Sequence, residues 1–371
     1  MFSEAFTLDK LENARKKINS IDEKMAALFC ERMDAVKAVA EYKTEHGLPI
    51  FDAEREAQVI KKNANFVDDP TLREYYVNFI QKVMEISKSY QSRLQSGLVV
   101  AYSGVEGAFA HIAAHKYFPH AKLISFESFK DVYDSVVNGE CDTAVLPLEN
   151  SYAGEVGQVM DLIFSGPLYV NGVIDLAVTH NLIAIPEAKI EDITDVFSHP
   201  QALAQCAKYI KEKNFVQNSH TNTALAALYV KEQNNPHYAA IASRETAELY
   251  GLRVLDHDIN SSRSNTTRFG VFSRVENAAQ KNGNEKFILV FTVKNEAGAL
   301  AEIIHIIGKY GYNMINLRSR PMKELLWQYY FFVEAEGNVN SVEGKKMLEE
   351  LADSCDKLKL VGSYSKSSDN Q

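Results

Sequence analysis

The chain is poor in cysteine, and the four it has, Cys30, Cys141, Cys206 and Cys355, show no CxxC spacing. That pattern excludes a disulfide frame and a clustered thiolate site, so no metal is expected. No run of about 18 apolar residues occurs, and "MFSEAFTLDKLENARKK" puts no apolar core behind a basic start, so the expectation is a cytoplasmic protein that neither spans nor crosses a membrane. Positive charge is also short: 40 Lys and Arg against 49 Asp and Glu leave a net charge of -9. A nucleic-acid partner is disfavoured and a small ligand favoured. Internal repeats and low-complexity tracts are absent. What is present, 46% hydrophobic and 24% charged residues over 371 positions, is the composition of a soluble globular chain too long for one core.

Three segments differ in period. Neither glycine nor proline occurs from Leu8 to His46, while Leu11, Ala14, Ile18, Ile21, Met25, Leu28, Ala35, Val39 and Tyr42 recur at helical spacing, which predicts one long amphipathic helix. "GLP" at 47–49 stops it. Asp52 can cap a second helix to about Asn65, and Pro70 can open a third to about Leu94. From "LVVAYSG" to about Ser273, strand-like "TAVLPLEN", "DVFSH" and "YAAIAS" alternate with helix-length pieces, the pattern of parallel α/β sheets. A polar linker is expected at 276–285. The last segment reads βαββαβ, a ferredoxin-like order, with a frayed tail after Ser365. The reading is thus multidomain, with domains at 1–95, 98–275 and 285–365.

In the first segment Arg32 interrupts the apolar stripe. It either snorkels to the rim or meets an anion, because an unpaired buried guanidinium is costly. Lys43 lies about 20° away on the helix wheel and about 16 Å along the axis, within reach of one shared small ligand. Arg15 is about 25 Å from Arg32 along the same helix. It can serve that site only from an antiparallel second copy. Ser87 and Gln91 share a face of the third helix, and Asp52, Arg55 and Glu56 open the second.

These eight positions resemble the all-helical chorismate mutases. That resemblance implies a three-helix fold in an intertwined dimer, with chorismate as substrate and prephenate as product. It further implies that Arg32 and the partner subunit's Arg15 bind the carboxylates with help from Ser87. Lys43 and Gln91 would donate to the breaking ether oxygen, and Glu56 would hold the ring hydroxyl, supported by Asp52 and Arg55. For Asp52 and Arg55 a helix cap and a surface pair are equally open. No nucleophile, cofactor or proton transfer is needed.

In the middle segment, the helix starts "SGVEGAFA" (103–110), "SHPQALAQC" (198–206) and "TNTALAA" (221–227) can offer free amides to carboxylates. Each alone is only a cap. Gly104 and Gly107 lack the rest of a dinucleotide fingerprint, which argues against a nicotinamide cofactor and a dehydrogenase. Together with "PLENSYAG" (147–154) and "NTTRF", these runs resemble prephenate dehydratase, a two-lobed α/β fold of periplasmic-binding-protein type. The resemblance implies Thr267 as the catalytic hydroxyl and Glu149 as proton source. It places Asn150, Ser151, Ser198, His199, Gln205 and Thr223 around prephenate, with His199 structural or orienting. Arg268 would compensate substrate charge or brace its strand.

The alternative is a mutase fused to a non-catalytic α/β ligand-sensing domain. Retention of the threonine in "TTRF" counts against it. The last segment resembles an ACT domain, which implies phenylalanine as effector near Gly298, Ala299, Leu300, Ser319, Arg320 and Pro321, on a homodimer that can pair into a tetramer. One departure stands out: where that family usually has an acid, this chain has Arg318.

Overall fold

The computed structural model describes residues 2–262, 265–277, 285–322 and 328–365. The linker expected at 276–285 lies mostly outside those residues, and so does the tail beyond Ser365. The chain divides into two compact units, 1–98 and 99–371.

The first unit is helical: α1 (Phe2–Glu45), α2 (Ala53–Ala64) and α3 (Pro70–Ser96). Its punctuation follows the sequence. Asp52 caps α2 by accepting from the Arg55 amide at 2.9 Å, and Asp69 caps α3 with Pro70 in the first turn. Helix α3 packs on α2 and on the C-terminal half of α1, burying Ala40, Val83 and Met84. The apolar stripe, however, is not what α1 shields. Residues 10–31 of α1 are exposed throughout, with Ile18 at 55% and Leu28 at 62%, whereas Arg32, Met33, Val36, Ala40 and Lys43 are covered.

The second unit begins with β1 (Val99–Ser103), α4 (Phe109–Tyr117), β2 (Lys122–Phe126), α5 (Phe129–Val137), β3 (Thr143–Asn150), β4 (Gly154–Glu155), α6 (Gly157–Ser165) and β5 (Tyr169–Ala177). The chain then crosses to a second lobe of β6 (Asn181–Ala184), β7 (Asp195–Ser198), α7 (Pro200–Gln205), α8 (Ala207–Lys213), β8 (Val216–Ser219), α9 (Thr223–Gln233), β9 (Tyr238–Ala242), α10 (Arg244–Tyr250) and β10 (Arg253–Asp256). It returns as β11 (Thr266–Ser273), and the sheet orders are β2-β1-β3-β11-β5, with β4 on β3, and β10-β6-β9-β7-β8.

Both sheets are mixed, which corrects the parallel expectation. Strand β11 re-enters from the other lobe without a crossover helix over its own sheet, so it runs against β3 and β5, and β6 likewise runs against β9 and β10. The second lobe has its own core around Leu182, Ile183, Val196 and Ile241.

The remaining elements are β12 (Glu285–Thr292), α11 (Ala299–Lys309), β13 (Asn313–Pro321), β14 (Tyr329–Glu336), α12 (Val342–Ser354) and β15 (Lys357–Ser365), in the βαββαβ order with an antiparallel sheet β13-β14-β12-β15. Alternation along its strands serves two cores. Phe287, Leu289 and Phe291 face α11 and α12, while Ile288, Val290, Phe332 and Val361 join Leu146 and Phe272 of the first lobe. At Gly362 the approach is so close that a Cβ would sit 2.2 Å from the carbonyl oxygen of Val170 on β5.

Candidate active sites

In the helical unit, Arg32 and Ser87 meet across α1 and α3: a guanidinium nitrogen donates to Ser87 Oγ, which donates in turn to the Val83 carbonyl at 2.7 Å. Burial pushes the Arg32 guanidinium below its usual pKa. Lys43 Nζ donates to the Ile50 carbonyl at 2.7 Å. Glu56 is paired at 2.9 Å with Lys88, a residue the sequence reading passed over, although it adjoins Ser87. Gln91 is buried with its Oε1 unpartnered among the described residues. A buried amide oxygen of this kind calls for a hydrogen-bond donor. Asp52 acts as a cap, while Arg55 and Arg15 are exposed.

In the second unit, a cavity of about 320 Å³ opens between the lobes, lined among others by Asn150, His199, Gln205, Thr223 and Thr267. Five of the expected positions therefore meet there. Strand pairing sets the centre of it. Thr267 lies opposite Asn150, whose Nδ2 donates to Thr267 Oγ1 at 2.9 Å and to Asn265 Oδ1 at 2.8 Å. Asn265 Nδ2 donates to Gln205 Oε1 at 3.0 Å, and the same oxygen accepts from His180 Nε2 at 2.8 Å. This polar chain from Thr267 to His180 ties four chain segments together.

His180 and Asn265 are functional candidates that the sequence reading missed. Asn265 stood inside the quoted run, but nothing in a single strand shows that its amide bridges two side chains 60 and 115 positions away. Burial holds the His180 imidazole below its usual pKa, and its Nδ1 has no partner among the described residues.

No lysine or arginine is among the described lining residues. Positive potential comes instead from the N-termini of α4 and α9, which open on the cavity at Ala108 and Phe109 and at Asn222 and Thr223. Asn222 caps α9 by accepting from the Leu225 amide at 2.7 Å, and His199 Nδ1 accepts from the Gln201 amide at 3.2 Å.

Other expected residues stand off the cavity. Ser198 is fully buried and donates its hydroxyl to the Ile241 carbonyl at 2.6 Å. Ser151 secures the strand start by accepting from the Thr266 amide at 2.9 Å. Arg268 braces its strand through Asp175 at 2.9 Å and Glu334 at 3.4 Å. Glu149 is not among the lining residues; next to Asn150 on an extended strand it faces the other way, and its carboxylate is 2.5 Å from Arg318.

Of the expected effector residues, Gly298 caps α11 at φ 92°, a left-handed conformation that favours glycine, and Ala299 and Leu300 form the first turn. Ser319, Arg320 and Pro321 end β13, with Arg320 engaged by Glu155 and by Asp161 at 3.4 Å.

A helical centre with the partly shielded cations Arg32 and Lys43, and an interlobe cleft lined by amides, helix ends and a threonine, are both arrangements suited to holding anionic ligands. The comparisons with known proteins agree. Residues 14–92 match the chorismate mutase type II family and residues 100–277 match the prephenate dehydratase family. A bifunctional chorismate mutase/prephenate dehydratase of Neisseria gonorrhoeae is 33% identical over 94% of this chain and 95% of its own length. The protein of the same description from Aquifex aeolicus is 31% identical over 97% and 99%. A prephenate dehydratase of Arthrobacter aurescens, solved in complex with L-Phe, superposes with a TM-score of 0.67 at 28% identity, covering 73% of this chain and 90% of that one. The chain belongs to the bifunctional chorismate mutase/prephenate dehydratase family. It is an enzyme with one domain of each kind.

Proposed function

We propose that the chain converts chorismate to prephenate in the helical unit and prephenate to phenylpyruvate in the interlobe cavity, in phenylalanine biosynthesis. The observation that carries this reading is the Asn150–Thr267 contact at 2.9 Å, set in a cavity that Gln205 and Thr223 also line.

The first step is an intramolecular rearrangement, so the residues act by holding and by charge. Arg32 and Ser87 take one carboxylate. Lys43 and Gln91 donate to the ether oxygen as its bond to the ring breaks and negative charge gathers there. Arg15 of the partner subunit takes the other carboxylate in an intertwined homodimer. The bare stripe from Leu11 to Leu28 supports that pairing, since burying it on a second copy removes exposed apolar surface from water. The domain limits proposed from the sequence, 1–95, 98–275 and 285–365, fit this division of labour.

In the second step the ring hydroxyl leaves as water, taking up one proton, while the ring carboxylate departs as carbon dioxide and its bonding electrons make the ring aromatic. Thr267 accepts from Asn150, which leaves its own O–H to donate to the departing oxygen, a bond that strengthens as charge grows. The N-termini of α4 and α9 answer the substrate's carboxylates. With its carboxylate turned to Arg318, Glu149 serves as a strut and not as the proton source.

The βαββαβ segment is read as an ACT domain that takes phenylalanine near Gly298–Leu300 and Ser319–Pro321 and slows the enzyme. The relative solved with L-Phe supports this. A two-step assay tests the whole reading: chorismate should yield prephenate and then phenylpyruvate, more slowly with phenylalanine present. Prephenate accumulating without phenylpyruvate would reduce the α/β unit to a binding module.

A further inference from the structure

The β3–β4 hairpin sets Glu149 directly across from Glu155. Two like charges facing each other on a ladder destabilise it unless a cation answers them. That cation arrives from far along the chain. Arg318 on β13 puts one guanidinium nitrogen 2.5 Å from Glu149 Oε1 and another 3.6 Å from Glu155 Oε2, while its Nε donates to Asn316 Oδ1 at 3.0 Å. Arg320, two residues on, holds the other Glu155 oxygen. The side chains of Arg318 and Glu149 are 24% and 30% exposed, so the pair is screened less than a surface ion pair. An acid at 318, which the family resemblance leads one to expect, would add a third negative charge here.

The hairpin is a wall of the cavity. Its first strand ends at Asn150, whose Oδ1 accepts from the Tyr152 and Ala153 amides and whose Nδ2 reaches Thr267. Ala153, Gly154 and Glu155 line the cavity beyond the turn. Whatever closes the hairpin therefore also places Asn150.

We propose that Arg318 is a positioning residue for dehydration: it cancels the facing charges of Glu149 and Glu155, clamps the β3–β4 hairpin shut and so holds Asn150 against Thr267. The inference rests on reading the cavity as the dehydratase site. It gives the C-terminal sheet a direct part in the geometry of that site.

The test compares full-length Arg318→Met, Glu149→Gln and the double variant for phenylpyruvate formation from prephenate, for mutase rate and for hydrogen exchange at the Tyr152, Ala153 and Val156 amides. Arg318→Met should lower the dehydratase kcat about tenfold with little change in KM, leave the mutase rate alone and speed exchange in the hairpin. Adding Glu149→Gln should return kcat and protection to the level of Glu149→Gln alone, because the repulsion is gone. A residue that merely staples the sheet to the lobe would show no such rescue. The proposal is overturned if Arg318→Met matches the wild type in kcat and exchange, or if the double variant is as impaired as Arg318→Met. If the wild type makes no phenylpyruvate while hairpin exchange still follows this pattern, the clamp stands and the reading of the cavity fails. Arg318→Gln carries the same comparison should the methionine variant not fold.

Discussion

The helical unit and the α/β unit solve the binding of a dianionic ring in opposite ways. The first gathers side-chain cations, Arg32 and Lys43, on a long helix, yet leaves residues 10–31 of that helix uncovered and Arg15 exposed, far from Arg32. The second places no cation among the described cavity residues and relies on helix ends and a chain of amides from Thr267 to His180, all within one chain. On the proposed reading, the difference is that one site is complete in a single copy while the other draws Arg15 from a second. A long, weakly packed helix gains stability when its apolar face is buried, because most helical stability comes from packing. A two-lobed cleft closes its own cores on either side.

The largest expected effect comes from removing a donor at charge that develops only during reaction. Lys43→Ala should cut the mutase kcat roughly thousandfold and leave phenylpyruvate formation from added prephenate unchanged. Equal loss of both activities would erase the contrast between the units. Thr267→Val should do the reverse, lowering dehydration roughly hundredfold with the mutase intact; the same two assays decide.

Stability separates the units further. Gly362→Ala would push a Cβ into the Val170 carbonyl at 2.2 Å, so calorimetry should show the 99–371 unit losing about 1–3 kcal/mol while the helical unit is unaffected. The smallest effect concerns His180. Burial lowers its pKa in the folded state, so below the ordinary value near 6.5 the unfolded chain binds the extra proton more readily. Stability is therefore lost as the pH falls from about 6.5. The melting temperature of the second unit should drop more between pH 6.5 and 5.5 in the wild type than in His180→Asn, and equal drops would remove His180 from the balance.

Much of this was legible in local sequence. Asp52 and Pro70 announced the helix starts because capping is a contest among neighbours. "TTRF" announced a strand with a polar head. What was not legible depended on partners distant in sequence: the stripe from Leu11 to Leu28 read as one face of an amphipathic helix, and periodicity alone does not show that nothing within the chain covers it among the described residues. Mixed strand direction followed from where the chain re-enters the first lobe, which periodicity does not encode. One signal was available and unused. Glu149 and Asn150 are adjacent on a strand, so period-two alternation turns their side chains to opposite faces. Only the docked C-terminal sheet shows what the outward one meets.

The most direct test of a mutase site shared between copies, beside a dehydratase site held in one, is activity in mixed dimers. Arg15→Ala and Lys43→Ala protomers, each inactive alone, should on refolding together recover about a quarter of wild-type mutase activity. Half the dimers are then mixed, and each mixed dimer keeps one intact site. Thr267→Val mixed with Gln205→Ala should recover no dehydratase activity. Failure of the first pair to complement, or success of the second, would contradict the account.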